Sequence, residues 1–406
     1  MKLNWKNTFV IGFGFFAISL VWPIYNSYMP ILYAKYIDSK AVIGGIMTID
    51  NWLALSLTPL VGFLSDRTRT RFGRRIPYML VGAPIAALFL FLIPFGWATS
   101  FGLLLTCTII MNLAMASFRS PIVALMPDVT PSELRSRANG IINFMGGFGY
   151  IAATFGGSYL YSRNPGEPFY AAAVLLVAIA IGFLLWIREP SGASEQSERH
   201  TYAFIRDRNA IFMLLAILFW FISYNSLETW LTTYGHEYLG QDVARVARLL
   251  TYSGAAFLLM AIPAGFLAEG NKRWKGFSRK WTIMGGIVGM LLAFALLMGQ
   301  RNLAAGWMYL VLAGVSWALI NINSYPMITQ MAPEGRIGAY TGLYYLFSNG
   351  AMVVGPPLFG LVFDRVGYGW YFPLAIGFML LAALCLMVVK TGEAKSGQQQ
   401  KVAAAD

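Results

Sequence analysis

Long apolar runs, each closed by a charge or a turn signal, recur from one end of this chain to the other. Bounded in that way, they predict twelve helices near residues 9–34, 42–65, 76–97, 101–126, 138–162, 168–187, 209–235, 245–268, 280–299, 303–327, 337–363 and 369–389. Each is close to the ~20 residues a helix needs to cross the hydrocarbon of a bilayer. A soluble helix of such length keeps a polar face, and these segments have none. The run from Phe9 to Tyr33 is too long for a signal-peptide core and has no small-residue cleavage site, so it is expected to remain as the first span. The pattern predicts an all-α membrane protein with twelve transmembrane helices.

One interruption is both long and polar: REPSGASEQSERHTYAFIRDR, residues 188–208. It divides the chain into an expected N-terminal six-helix bundle (1–187), a cytoplasmic linker (188–208) and a C-terminal six-helix bundle (209–390). The polar tail at 391–406 is expected to be disordered. The two halves resemble each other. Gly62-Phe63-Leu64 followed by Asp66 recurs as Gly265-Phe266-Leu267 followed by Glu269. Tyr25-Asn26-Ser27 recurs as Tyr224-Asn225-Ser226, and Pro121 has a counterpart in Pro326. Matches at the same place in each half imply a parallel duplication, hence two pseudo-symmetric bundles.

Composition sharpens this picture. Hydrophobic residues make up 57% of the chain, charged residues only 12%, and mean hydropathy is +0.59, where a soluble domain carries about 25% charged residues. The net charge of +12 does not point to nucleic acid, because the basic residues sit in short loops between spans and form no continuous face. Most of the 30 Lys and Arg fall in alternate loops, on the side that also holds both termini. The excess of positive charge assigns that side to the cytoplasm, in the plasma membrane. Cys107 and Cys385 fall inside spans and imply no disulfide framework. No His or Cys cluster has metal spacing, no nucleophile has a partner base, and no phosphate loop is present. Neither an enzyme nor a cofactor or metal is expected, and a monomer suffices.

The stretch GFLSDRTRTRFGRR concentrates charge in one turn. Gly62, Asp66, Arg67, Gly73, Arg74 and Arg75 match the signature of the major facilitator superfamily, Gly-x-x-x-Asp-Arg with Gly-Arg-Arg downstream. The chain is therefore identified as similar to those transporters, which hold their substrate between two repeats near mid-membrane. In that reading the glycine lets the second and eleventh spans approach closely, and the Asp66 carboxylate accepts hydrogen bonds from a facing helix N-terminus, latching the cytoplasmic side. The longer form SDRTRTRFGRRIPY resembles that of the sucrose carriers and the melibiose-type cation symporters, and Ala124-Leu125-Met126-Pro127-Asp128, with Arg135 and Arg137, resembles the sucrose carriers' next turn. The resemblance implies a cation-driven carrier of a glycoside-like solute. Departures from it limit what carries over. Where melibiose-type carriers hold a sodium-binding carboxylate two residues before the proline of the fourth span, this chain has Arg119. The sucrose carriers' arginine, two residues after that proline, falls at Val123. The paired aspartates of the second span fall at Ala54 and Thr58, and the acid present is Asp50. The sodium site is not retained, and a proton is the expected coupling ion.

Three ionisable residues lie well within spans: Asp50, Arg119 and Glu228. Each costs about 2.5–3.5 kcal/mol to insert near a helix centre, so each points to function or to a structural pair. Asp50 and Arg119 are expected to pair across neighbouring helices, while Glu228 has no basic residue at its depth in its own half. Either Glu228, or Asp50 coupled to Arg119, is the expected protonation site. Polar and aromatic stripes on several spans supply the candidate solute contacts: Trp22, Tyr25 and Asn26; Asn112 and Arg119; Asn143, with Asn139 and Tyr150 on the same stripe; Tyr224, Asn225 and Glu228; Trp317, Asn321 and Tyr325; Tyr345 and Asn349. Amides and a guanidinium beside aromatic faces suit a sugar-like, polyhydroxylated small molecule. A proton-driven drug exporter is the alternative; such exporters commonly carry a Gly-Pro pair in the fifth span, which is missing here. Gly355-Pro356-Pro357 instead lies in the eleventh span, where it is expected to kink or break the helix as a hinge.

Overall fold

A computed structural model describes residues 5–70, 73–130, 135–186, 207–269, 276–333 and 336–392. The linker and tail expected at 188–208 and 391–406 lie almost wholly outside those residues. Every predicted span has a helical counterpart. The first half contains α1 (Trp5–Ala34), α2 (Lys40–Met47), α3 (Ile49–Arg67), α4 (Ile76–Thr99), α5 (Phe101–Val129), α6 (Arg135–Ile151), α7 (Gly157–Arg163) and α8 (Glu167–Trp186). The second contains α9 (Arg208–Thr233), α10 (Val243–Glu269), α11 (Arg279–Met298), α12 (Trp307–Gln330), α13 (Ile337–Val366) and α14 (Tyr371–Val388). Among the described residues, ten helical stretches are long and apolar enough to cross a membrane, and Glu167–Phe183 is a shorter apolar helix.

Local chemistry explains the boundaries. Ser39 and Ser100 stand in extended conformation as N-caps, their hydroxyls accepting from Val42 and Leu103. The second span is split at Thr48, whose hydroxyl donates back to the Gly45 carbonyl at 2.8 Å. The fifth is interrupted by a π turn, Ala152–Gly156, between α6 and α7, and the seventh ends in another, Tyr234–Tyr238. Gly73 has φ +104°, a conformation that favours glycine, and closes the tight turn at Thr70–Gly73. Of the kink or break expected at Gly355-Pro356-Pro357, there is no break: α13 is one helix through Pro356 and Pro357. The Pro356 carbonyl accepts from Trp230 Nε1 at 3.1 Å.

The chain packs as two compact units. The first comprises Met1–Gln196, Ser226–Gly254 and Pro356–Tyr368, and the second Ser197–Asn225, Ala255–Gly355 and Gly369–Asp406. Helices α9, α10 and α13 thus each contribute to both. Within the first unit α4 packs on α5 and α8, and α1 on α6 and α8. Tyr28 stacks on Tyr161 with ring centroids 4.3 Å apart. Within the second, α11 packs on α12 and α14.

The duplication read from sequence is visible in the packing. A Cβ at Gly82 would stand 3.1 Å from the Ala114 carbonyl of α5, and one at Gly286 2.7 Å from the Ser316 carbonyl of α12. Ser120 of α5 donates to the Thr58 carbonyl of α3 at 3.1 Å, and Asn323 of α12 to the Ala264 carbonyl of α10 at 3.2 Å. Arg75 and Arg279 are both buried at the start of the helix they precede or open, α4 and α11. Small residues and side-chain hydrogen bonds are what hold helices together in lipid. The outward faces are apolar, as a hydrocarbon solvent requires: Leu259, Ile262 and Phe266 form an exposed stripe along α10.

Candidate site: a cavity with an arginine and a glutamate

Inside the first unit, α1, α5, α6, α9 and α10 line a half-open cavity of about 260 Å³. Helical spacing on α1 brings Ser19, Trp22, Asn26 and Ser27 to one face, and these line one wall. Arg119 enters from α5, Tyr150 from α6, Glu228 from α9 and Leu250 from α10. Tyr150 donates its hydroxyl to Glu228 Oε1 at 3.2 Å. Below that bond, α6 and α7 are stitched to α10. Thr251 and Thr154 hydroxyls meet at 2.9 Å, and Arg248 Nε donates to Ser158 at 3.0 Å. Gly254 lies against the Tyr150 ring, so α10 reaches it without a side chain. The π turn that follows Tyr150 keeps residues 150, 154 and 158 on the α10 side; such turns often mark functional positions.

The cavity therefore combines a guanidinium, a carboxylate, a phenol, an amide, hydroxyls and an indole. Trp22 Nε1 is buried with no hydrogen-bond partner, an orphan donor at the edge of a polar chamber. Such a set can bind hydroxyls at fixed positions, offer an aromatic face to a ring, and hold or release a proton at Glu228.

The candidate residues distribute as follows. Trp22, Asn26, Arg119 and Glu228 line the cavity. Tyr25 and Asn112 lie behind it, both fully buried, with Asn112 Nδ2 donating to the Tyr25 hydroxyl at 3.3 Å. Asn143 is exposed on α6. Asp50 is half-buried on α3 and does not line the cavity; its Oδ1 accepts from Asn51 at 2.8 Å. The basic group that shares a chamber with Glu228 is Arg119, which sequence order had placed in the other half. The remaining candidates belong to the second unit. Tyr224 stacks on Trp317 at 3.8 Å between centroids, and Asn225 donates to the Met352 carbonyl at 3.4 Å. Tyr325 meets Thr341 at 3.2 Å and lies beside Tyr344 and Tyr345. Asn321 and Asn349 are half-buried. Tyr150 is the residue whose role the sequence understated; it shares a stripe with Asn143, seven residues earlier, but nothing local showed that it reaches α9. Ser19 and Ser27 were not among the candidate solute contacts, because short hydroxyls in apolar helices are common.

The arginine-rich turn is described in part. Gly62 has the Ser120 hydroxyl of α5 3.5 Å from a built Cβ. Arg67 lies over the Phe63 ring at 4.0 Å, and Arg75 donates to Ser65 at 2.8 Å. Arg74 is half-buried. The side chains of Asp66, Asp128, Arg135, Arg137, Asn139 and Glu269 lie outside what is described.

Comparison with known proteins adds the following. The sequence profile of the Major Facilitator Superfamily matches residues 11–356 and 249–405. The chain is 23% identical to the tetracycline resistance protein, class B, of Escherichia coli, over 96% of each. It is 26% identical to the uncharacterized symporter YnaJ of Bacillus subtilis, over 87% of this chain and 82% of that one. In structure it resembles the nucleoside transporter NupG, with TM-score 0.74 and 16% identity over 95% of this chain and 99% of that one.

Proposed function

Because the chain belongs to the Major Facilitator Superfamily, a family of multi-pass membrane transporters, we propose that it is a proton-coupled symporter of a small sugar-like solute, working by alternating access. One observation carries this reading: the cavity holding Arg119, Glu228 and Tyr150 beside Trp22, Asn26, Ser19 and Ser27. Asn26 and the serines supply hydroxyl partners, Trp22 an aromatic edge, and Arg119 a charged donor. Glu228 is the proton carrier. As a carboxylate it accepts from Tyr150 and is balanced by the nearby guanidinium; protonated, it gives up that charge balance and frees Arg119 to act on the solute. Solute and proton then cross together. Likeness to a nucleoside transporter and to a symporter supports a ring solute with hydroxyls, its uptake driven by an ion gradient. The further elements of the proposal are a plasma-membrane monomer, both termini cytoplasmic, bundles at 1–187 and 209–390, the sucrose- and melibiose-carrier branch, and no cofactor.

A second reading, proton-driven export of organic solutes, is favoured by the likeness to a tetracycline resistance protein across nearly the full length of both chains. One experiment separates the two. Purified protein is screened for thermal stabilisation by monosaccharides, disaccharides, nucleosides and lipophilic cations, and the best ligand is followed into proteoliposomes under an imposed pH or sodium gradient. The symporter reading expects stabilisation by a hydroxylated ring and accumulation driven by an inward proton gradient. Stabilisation by lipophilic cations alone, or uptake indifferent to the proton gradient, rejects it.

A further inference from the structure

The six residues Gly360-Leu361-Val362-Phe363-Asp364-Arg365, at the end of α13, repeat the Gly-x-x-x-Asp-Arg pattern of Gly62 to Arg67. Here the structure describes every part. Gly360 lies directly against the Lys40 carbonyl, where any Cβ would collide with backbone. Its helix can therefore touch the first turn of α2, and Gly44 meets Pro356 one helix turn along the same seam. Asp364 reaches over that N-terminus. One carboxylate oxygen accepts from the Lys40 backbone N–H at 2.7 Å, the other from the Ser39 hydroxyl at 2.7 Å and the Ala41 N–H at 3.0 Å. The donors at a helix start are otherwise unsatisfied and carry partial positive charge, so a carboxylate there is doubly favoured.

A second tie runs beside it. Lys40 Nζ pairs with Glu237 at 2.8 Å, and Glu237 also accepts from the Tyr368 hydroxyl at 2.9 Å. Trp230 donates to the Pro356 carbonyl. All of these groups belong to the first unit, and they bind the segments Ser226–Gly254 and Pro356–Tyr368 to residues 39–44. Nearly every bond is polar and lies at an exposed or half-exposed rim. Such a contact can be exchanged for water at little net cost. An apolar core contact cannot. α2 and α3 span the distance between this cluster and the arginine-rich turn, which places the two Gly-x-x-x-Asp-Arg stretches at opposite ends of the second span.

We infer that residues 360–365 and the first turn of α2 form a releasable latch, which closes the cavity on the membrane face opposite the arginine-rich turn. Asp364 is a positioning residue: it touches neither solute nor proton, and its charge sets how often that face opens. The inference needs neither the solute nor the coupling ion to be known, so it stands or falls apart from the proposed symport.

The test is access to the cavity. Ser19→Cys is introduced with Cys107 and Cys385 replaced by serine, and a membrane-impermeant maleimide is added to either face of sealed vesicles. In Asp364→Asn, and independently in Gly360→Ala, labelling from the Lys40 face is expected to rise on the order of tenfold, with a matching fall from the other face. A merely structural role would raise both or neither. Glu237→Gln breaks the second tie from an exposed position and is expected to move labelling the same way, to a smaller extent. Folded variants that label like their parent from both faces overturn the latch; if neither Asp364→Asn nor Gly360→Ala folds, unchanged labelling in Glu237→Gln does so alone.

Discussion

Glu228 is half-buried in a chamber that also holds Arg119, and its Oε1 accepts from Tyr150. Replacing it with glutamine keeps the shape and removes the charge change. Glu228→Gln is expected to abolish accumulation driven by a pH gradient while leaving solute exchange across the membrane intact, as measured by counterflow in proteoliposomes. Tyr150→Phe deletes one hydrogen bond to a charged group, worth about 1.5–3 kcal/mol. Its kcat/KM for uptake is expected to fall ~10-fold, with accumulation retained. An intramembrane acid announces itself in sequence because its insertion is costly, and Asp50, Arg119 and Glu228 were all found on that ground. The surroundings of Glu228 were not readable. Arg119 and Glu228 are more than one hundred positions apart in the chain, and only the tertiary fold brings them into one cavity beside α1.

The helices themselves were written plainly in the apolar runs, to within a few residues. What the runs did not contain was the break at Thr48 or the two π turns, since each depends on where backbone hydrogen bonds are diverted and not on hydropathy. The glycine pattern was only half interpreted. Gly62 lies beside Ser120 of α5, and Gly360, in the same six-residue pattern but not singled out from sequence, makes a backbone contact with Lys40. Gly82 and Gly286 show why such positions stay small: each lies under a carbonyl of the following helix. Gly286→Val is expected to lower the thermal midpoint of purified protein, an overpacking cost of about 1–3 kcal/mol. The same change at Gly285, which has nothing within 4 Å of a built Cβ, is expected to leave the midpoint nearly unchanged.

At the scale of the molecule, the cavity draws on residues from both sequence halves, since Glu228 and Leu250 lie beyond the linker. Residues 1–200 expressed alone are therefore expected to bind no solute, and co-expression with 201–406 to restore ligand-dependent thermal stabilisation. Stabilisation of the first fragment by itself would show that the cavity does not need Glu228.

Sequence alone determined that this is a duplicated membrane protein of twelve helices, because bilayer thickness and the cost of unpaired polar groups in lipid leave few other ways to arrange such apolar runs; the likeness to the major facilitator type came from the motif at Gly62 to Arg75. It also marked the three charges whose burial needs a reason. Tertiary structure decided which of them share a cavity, that Tyr150 answers Glu228, and that Asp364 caps α2. These are contacts between helices distant in the chain, set by which faces pack together, and a helix's own periodicity fixes its apolar character without naming its neighbour.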